Sequence, residues 1–193
     1  MRVGLFGGSF NPVHEGHLKL AREAVSELNL DKMIFIPSYR TPLKSEAELL
    51  PWRLRAEALE AAIGRQPQFE ISLCEIKRKG VSYTVDTLKY FRRKMGASAV
   101  FYFFVGADSL RSLSRWKSPR EVLSLCRFVV ASRPGSSAAA LPGQAIRFPF
   151  DALEVSSTAI RRRLRVRKSL RGFVPAGVER VLIKKGGFEH RIR

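Results

Sequence analysis

Cysteine, histidine and acidic residues are all scarce in this chain, and long apolar runs are missing. Cys74 and Cys126 are its two cysteines, far apart and in no Cys-x-x-Cys pair. That is the usage of a reducing compartment, where an isolated thiol serves as a small core side chain. With three histidines besides, no ligand spacing for a structural zinc site can be drawn. The longest purely apolar run, Ala99 to Val105, is far short of the roughly 20 residues that a membrane helix needs. Met1 leads directly into a strand-like run, without the charged, apolar and small-residue regions of a signal peptide. The expectation is a soluble, unexported, cytoplasmic protein with no membrane partner.

The 17 acidic residues face 35 lysines and arginines, for a formal net charge of +18. The excess is uneven: residues 161–193 hold twelve Lys/Arg against two acids. Such a field attracts polyanions, whether nucleotides, nucleic acid or lipid headgroups. For most of these residues a solvated basic helix face is the simpler reading. Otherwise the 45% hydrophobic and 27% charged content is that of an ordinary globular protein. The length suits one domain that buries its own core.

The pattern along the chain alternates strands with helices. Arg2 to Phe6 reads as a first strand, and a helix over about His14 to Leu28 carries Leu18, Ala21, Val25 and Leu28 at helical spacing. Met33 to Ile36 is a second strand stopped by Pro37, and Ser38 to Glu46 reads as a loop. Trp52 to Ile63 is helical and closed by Gly64. Phe69 to Ile76 is expected as a third strand, Tyr83 to Met95 as a helix. Ala99 to Val105 is apolar on successive residues, as in a strand covered on both faces. A short helix near Arg120 to Leu125, a strand Phe128 to Ala131, a mobile loop Ser132 to Gly143 and a strand Ile146 to Phe150 follow. Helices at about Ser157 to Val166 and Ala176 to Lys185 complete the chain. This is the pattern of a Rossmann-like, doubly wound α/β domain, a parallel sheet with helices on both faces. One domain, 1–193, is expected, with about 156–193 as its C-terminal helical part. Ligands in such folds sit beyond the carboxyl ends of the strands. That rule gathers the loop after strand one, the Thr41-Pro42 loop and Gly106-Ala107-Asp108 around one crevice.

The first of these loops, GGSFNPVHEGH from Gly7 to His17, concentrates the chemistry. It has neither the G-x-G-x-x-G of dinucleotide binders nor the Gly-Lys-Ser/Thr of a P-loop. It does bring two of the three histidines, His14 and His17, to a helix start, on one face. Exposed N–H groups there favour an anion, and each imidazole can donate to a phosphate oxygen. Gly16 between them leaves room for a bulky ligand. Far along the chain, Ser156-Ser157-Thr158-Ala159-Ile160-Arg161 opens another helix. Its hydroxyls are natural caps, and Arg161 can reach a phosphate held at that helix's start.

Together these two motifs resemble the nucleotidyltransferase superfamily that carries His-x-Gly-His and Ser-Ser-Thr-x-x-Arg signatures. The stretches GGSFNPVHEGHLKLA, RKGVSYTVDTL, VGADSLRSLSRW, FVVASRPG and VSSTAIRRRL look like the bacterial nicotinate-nucleotide adenylyltransferases, in order from Val3 to about Val181. The related phosphopantetheine enzymes share the end motifs but are not expected to carry SYTVDTL followed by GADSL and a tryptophan. The resemblance implies ATP and nicotinate mononucleotide as substrates, Mg²⁺ as cofactor, and nicotinate adenine dinucleotide plus pyrophosphate as products, within NAD biosynthesis. His14 and His17 would contact the ATP phosphates and stabilise the transition state. Lys44 and Arg161 would hold the triphosphate or the leaving pyrophosphate. Gly7, Gly8, Ser9 and Phe10 would offer backbone contacts, and Ser157 and Thr158 the start of the second phosphate-binding helix. Asp108 would lie near the ribose or the metal, Arg133 on the adenine side. Trp116 would stack on the pyridine ring, Tyr83 and Thr84 would receive its carboxylate through their backbone, and Lys44 would face the same nucleotide. No protein side chain is expected as a dedicated metal ligand, Mg²⁺ being held mainly by phosphates.

Three positions depart from the family's pattern. Thr41-Pro42-Leu43-Lys44 keeps a lysine but lacks the preceding histidine. Arg167 stands where glycine is usual, which suggests a longer helix or a different turn. The tyrosine near Gly172 is missing. The chemistry is consistent with the residues present: a phosphate monoester, with its second pKa about 6, is already ionised at neutral pH and needs no base. Neither cysteine, and no serine, is required as a nucleophile. Competing readings are a sister enzyme acting on nicotinamide mononucleotide or phosphopantetheine and, from another class, a basic nucleic-acid-binding protein. No helix-turn-helix, zinc or RNA-binding signature accompanies the charge, so nucleic acid is disfavoured as a partner. A homo-oligomer is left open.

Overall fold

In the computed structural model, which describes residues 1–42, 49–64, 66–106, 111–132, 141–143 and 145–185, six strands form one parallel sheet. They are β1 (Arg2–Gly8), β2 (Lys32–Pro37), β3 (Phe69–Ile71), β4 (Val100–Gly106), β5 (Arg127–Ser132) and β6 (Ile146–Pro149). Their order is β3-β2-β1-β4-β5-β6. Seven helices flank them among the described residues: α1 (Glu15–Glu27), α2 (Trp52–Ile63), α3 (Cys74–Arg78), α4 (Thr84–Met95), α5 (Pro119–Leu125), α6 (Ser157–Arg165) and α7 (Ala176–Lys184).

Both faces of the sheet are covered, which is what the unbroken apolar strands require. Alternate β4 side chains point to opposite faces. Phe101, Phe103 and Val105 pack with Val85, Leu88 and Phe91 of α4 and Val122 of α5. Tyr102 and Phe104 join the core formed with α1, α2, α6 and α7. Each of the three β4 phenylalanines is at most 5% exposed, so each contributes about 2–3 kcal/mol by burial. Gly4 of β1 has a steric reason: a Cβ there would meet the Met33 sulfur at 2.7 Å.

The helices end as local chemistry dictates. After α1, Asn29 adopts φ +46°, and Leu30 N–H donates to Val25 O (3.0 Å) while Asn29 N–H donates to Ser26 O (3.3 Å). That is a Schellman stop, with asparagine in the left-handed place.

Two expectations need correction. The third strand ends at Ile71, and 74–78 turns into α3 instead of continuing to Ile76. Ser72 N–H still reaches Phe35 O (2.9 Å), but the neighbouring strand ends in Pro37, which has no N–H to offer. The chain therefore satisfies itself, with Lys77 N–H donating to Leu73 O (2.8 Å). At the other end, Arg167 neither lengthens α6 nor changes its turn. It takes φ +51°, with Lys168 N–H on Arg163 O (2.9 Å) and Arg167 N–H on Leu164 O (3.1 Å). This is the glycine's Schellman turn kept by an arginine, at a cost of about 1–2 kcal/mol for the left-handed backbone. The loop expected at 132–143 falls mostly outside the described residues, which include only its ends.

Candidate active site

The strand order turns back between β1 and β4, and a crevice forms beyond the carboxyl ends of strands at such a point. A cavity of about 640 Å³ opens there. One wall is Gly7, Gly8 and Ser9 at the end of β1, facing Gly106 at the end of β4. The other wall carries Ser82, Tyr83 and Thr84 before and at the start of α4, with Trp116 and Lys117 beside them. A more open depression of about 750 Å³ lies at the opposite, amino ends of the strands, between Asn29 and Gln68. It touches none of the loops named above, and the chemistry belongs to the first cavity.

The loop after β1 is held by its carbonyl groups. Gly8 O accepts from Ser38 N–H (2.9 Å), and Ser9 O from Arg55 Nη1 (2.7 Å). Asn11 O accepts from Arg161 Nη1 (3.1 Å), and Pro12 O from the Ser157 hydroxyl (2.9 Å). The Asn11 side-chain oxygen takes Leu50 N–H (2.8 Å). The loop is thus gripped by β2 and α2 on one side and by α6 on the other. The N–H groups of Ser9 and Phe10 make no hydrogen bond to a described residue. Such amides suit an anion.

His14 is the N-cap of α1 and His17 its third residue. Their rings stack at 3.7 Å between centroids, and the His17 ring meets Phe10 at 5.2 Å. His14 N–H donates to His17 Nδ1 (3.2 Å). A nitrogen that accepts carries no proton, so in the neutral ring the proton lies on Nε2, where it can be given to an oxygen. Burial pushes the His14 pKa from 6.5 down to about 4, so at neutral pH that ring is uncharged. Its Nδ1 has no hydrogen-bond partner among the described residues. Gly16 has a different reason from the ligand room expected of it: a Cβ would stand 3.2 Å from His14 Nδ1 and 3.2 Å from Val155 Cγ1. The glycine lets the His14 ring close down on the helix start.

The far wall is polar at its base and aromatic at its rim. Trp116 is half-buried; its edge packs on Phe128 (5.8 Å) and Phe103 (6.4 Å), and its Nε1 donates to Ser112 Oγ (3.3 Å). The core and cavity readings of this residue both hold, since one part of the ring packs inward while the residue lines the opening. Lys117 lies 4.8 Å above the Tyr83 ring and pairs with Asp86 at 3.1 Å. Glu75 lines the cavity too, although it is only 6% exposed. Its carboxyl accepts from Thr87 Oγ1 (2.6 Å). Burial raises its pKa, while hydrogen bonds from Thr87 and Ser82 and the charges of Arg78 and Arg55 oppose the rise.

Of the residues singled out in the sequence, Gly7, Gly8, Ser9, Tyr83, Thr84 and Trp116 line the cavity. His14, His17, Ser157, Thr158 and Arg161 are not among its lining residues; Ser157 and Arg161 hold the β1 loop at Pro12 and Asn11. There Arg161 is buried and its Nη2 also donates to Thr158 Oγ1 (3.3 Å). The Phe10 side chain is core, 2% exposed, its backbone at φ +42°. Lys44, Asp108 and Arg133 lie outside the described residues. Both cysteines have raised pKa values from burial, Cys126 to about 12, which keeps them thiols rather than nucleophilic thiolates. Sequence reasoning missed Arg55 and Glu75. Arg55 had a signal: with Ala58, Leu59 and Ala62 it falls on the apolar face of α2, where an arginine needs a buried partner.

A family model described as cytidylyltransferase-like matches residues 5–163. A protein of Clostridium novyi named "probable nicotinate-nucleotide adenylyltransferase" is 39% identical over 185 residues, covering 90% of this chain and 92% of its own. A Thermus thermophilus protein of the same name is 39% identical, covering 97% and 98%. In fold, the chain is similar to the Plasmodium falciparum nicotinic acid mononucleotide adenylyltransferase solved with NaAD, at TM-score 0.76, 16% identity and 96% coverage of both chains. With the family model over most of the sequence and relatives at this identity along nearly its whole length, the chain belongs to the cytidylyltransferase-like family, among the nicotinate-nucleotide adenylyltransferases.

Proposed function

We propose that this protein transfers the adenylyl group of ATP to nicotinate mononucleotide, releasing pyrophosphate and forming nicotinate adenine dinucleotide for NAD biosynthesis. The observation that carries the reading is the two-walled cavity at the strand-order reversal: loop amides of β1 on one wall, the α4 start with Trp116 on the other. The fold of a neighbour solved with NaAD and the names of the relatives agree with it.

The acceptor phosphate is the nucleophile and is ionised at neutral pH, so the protein's task is alignment and charge stabilisation. The N–H groups of Ser9 and Phe10, the proton on His17 Nε2 and the Arg161 guanidinium would hold the ATP phosphates and the charge that grows on them. His14, neutral and stacked on His17, would orient that ring and offer a further donor. Lys44 is assigned to the leaving pyrophosphate, Asp108 to the ribose, Arg133 to adenine. Trp116, with the backbone of Tyr83 and Thr84, would receive the nicotinate ring and carboxylate.

Mg²⁺ is the proposed cofactor. Among the described residues no group of three or more His, Cys, Asp or Glu side chains is arranged to hold a metal ion. The ion's proposed ligands are mainly phosphate oxygens and water; when bound, it would neutralise phosphate charge. No helix among the described residues is long and apolar enough to cross a membrane, and we assign the enzyme to the cytoplasm.

The test offers ATP with nicotinate mononucleotide, nicotinamide mononucleotide or phosphopantetheine, and measures pyrophosphate. Turnover with the first is expected to exceed the others at least tenfold. Pyrophosphate from another acceptor, and none from nicotinate mononucleotide, would overturn the substrate assignment.

A further inference from the structure

Arg55 is the largest fully buried side chain among the described residues, 1% exposed. It lies on α2, outside every motif the reaction uses. Each of its three guanidinium nitrogens donates to a backbone carbonyl: Nε to Leu50 O (3.0 Å), Nη1 to Ser9 O (2.7 Å) and Nη2 to Ser38 O (2.7 Å). Ser9 belongs to the loop after β1, Ser38 to the loop after β2, and Leu50 to the segment leading into α2. Each carbonyl sits on a different nitrogen of the planar fork, a spread that the single nitrogen of an ammonium group does not match.

The brace continues towards the acceptor wall. Tyr39 N–H, next to Ser38, donates to Ser82 Oγ (3.0 Å), and Ser82 N–H donates to Arg40 O (2.8 Å). Burial raises the Glu75 pKa, a rise that Ser82 and Arg55 oppose. Glu75 in turn accepts from Thr87 in the first turn of α4 (2.6 Å). A path of buried and part-buried hydrogen bonds, joined by the Ser38-Tyr39 peptide, thus runs from the Ser9 carbonyl on one wall to the Ser82-Tyr83-Thr84 segment on the other.

We infer that Arg55 is a positioning residue for adenylyl transfer: it sets the spacing between the wall that holds the ATP phosphates and the wall that holds the acceptor nucleotide. The inference rests on the functional reading above. In-line attack depends on the distance between two separately bound nucleotides, and a misplacement of about 1 Å costs on the order of a hundredfold in rate. Each nucleotide's own contacts lie on one wall, so loss of the brace should leave binding largely intact.

The decisive variant is Arg55→Lys, which keeps the charge but replaces the three donor nitrogens of the fork by one. In folded protein, verified by circular dichroism, kcat is expected to fall at least tenfold while the KM of each nucleotide changes less than threefold. Trimethylamine N-oxide, added until the melting temperature matches that of the parent, is expected not to restore kcat. Parental kcat, a loss carried by KM instead, or recovery of kcat in the osmolyte would reduce Arg55 to a structural residue and overturn the inference. Should Arg55→Lys not fold, Ser82→Ala decides. It removes the hydroxyl that accepts the Tyr39 N–H and so cuts the brace short of the acceptor wall; kcat lowered more than threefold at unchanged KM supports the inference, and any smaller loss overturns it. The parent is assayed alongside with ATP and nicotinate mononucleotide, so an inactive parent marks failure of the functional reading, and an active parent with unaffected variants marks failure of the brace.

Discussion

Between pH 7 and pH 5 the neutral, half-buried His14 ring is expected to lower the stability of the folded state by about 2 kcal/mol. The ordinary histidine pKa is 6.5, and burial takes His14 to about 4 in the folded protein. The folded pKa is the depressed one, so the unfolded chain binds a proton that the folded chain refuses. The stabilisation is fully present above pH 6.5, shrinks as the pH falls towards 4, and totals about 3 kcal/mol over the window. At pH 5 some thirtyfold of the unfolding equilibrium is at stake by the same relation, or roughly 2 kcal/mol. Other groups titrate in this range, so the measurement is a difference. His14→Asn keeps a good N-cap and cannot take up a proton. Urea unfolding of both proteins at pH 7, 6 and 5 should give stabilities whose difference moves by about 2 kcal/mol in favour of the variant on acidification. Parallel pH profiles would show that the ring is not desolvated as its packing against Gly16 and His17 requires.

His17→Ala should fold normally yet lose about a hundredfold or more in kcat, as loss of one donor to transition-state charge does; near-parental turnover in folded protein would remove the phosphate role. Trp116→Ala should raise the acceptor KM about tenfold with a smaller change in kcat, because stacking acts in the ground state as well. An unchanged KM would leave the tryptophan only its packing on Phe103 and Phe128. Arg167→Gly should stabilise the protein by about 1 kcal/mol, removing the left-handed cost at φ +51°, and raise Tm by roughly 2–4 °C in calorimetry. A lower Tm would mean that the arginine's own contacts outweigh its backbone.

Fold and site were legible wherever the signal is local. The doubled apolar pattern of β4 announced a sheet covered on both faces, and the glycine loop after β1 announced the crevice. The order of strands was not local information: β4 lies beside β1 because the chain crosses back over the sheet after β3. The third strand was overextended because Cys74 and Ile76 are apolar enough to continue it, and only its neighbour's proline ends the pairing. Arg167 misled for the opposite reason, since an unfavourable residue is tolerated where two backbone hydrogen bonds already define the turn. The apolar face of α2 marks Arg55 as buried, but its partners are main-chain carbonyls, which leave no mark on composition.

The grip on the β1 loop has a consequence for how a nucleotide arrives. The carbonyls of Gly8 and Ser9 are turned inward, committed to Ser38 and Arg55. In a trans peptide the N–H of the next residue points the opposite way, so the Ser9 and Phe10 amides are forced outward together. The loop therefore has a fixed polarity before any ligand binds, with the positive ends of two peptide dipoles displayed. Turning it over would break a hydrogen bond to a buried cation. An incoming phosphate meets a surface that needs no reorientation, and the binding energy that would otherwise order the loop remains for bringing the two nucleotides into line.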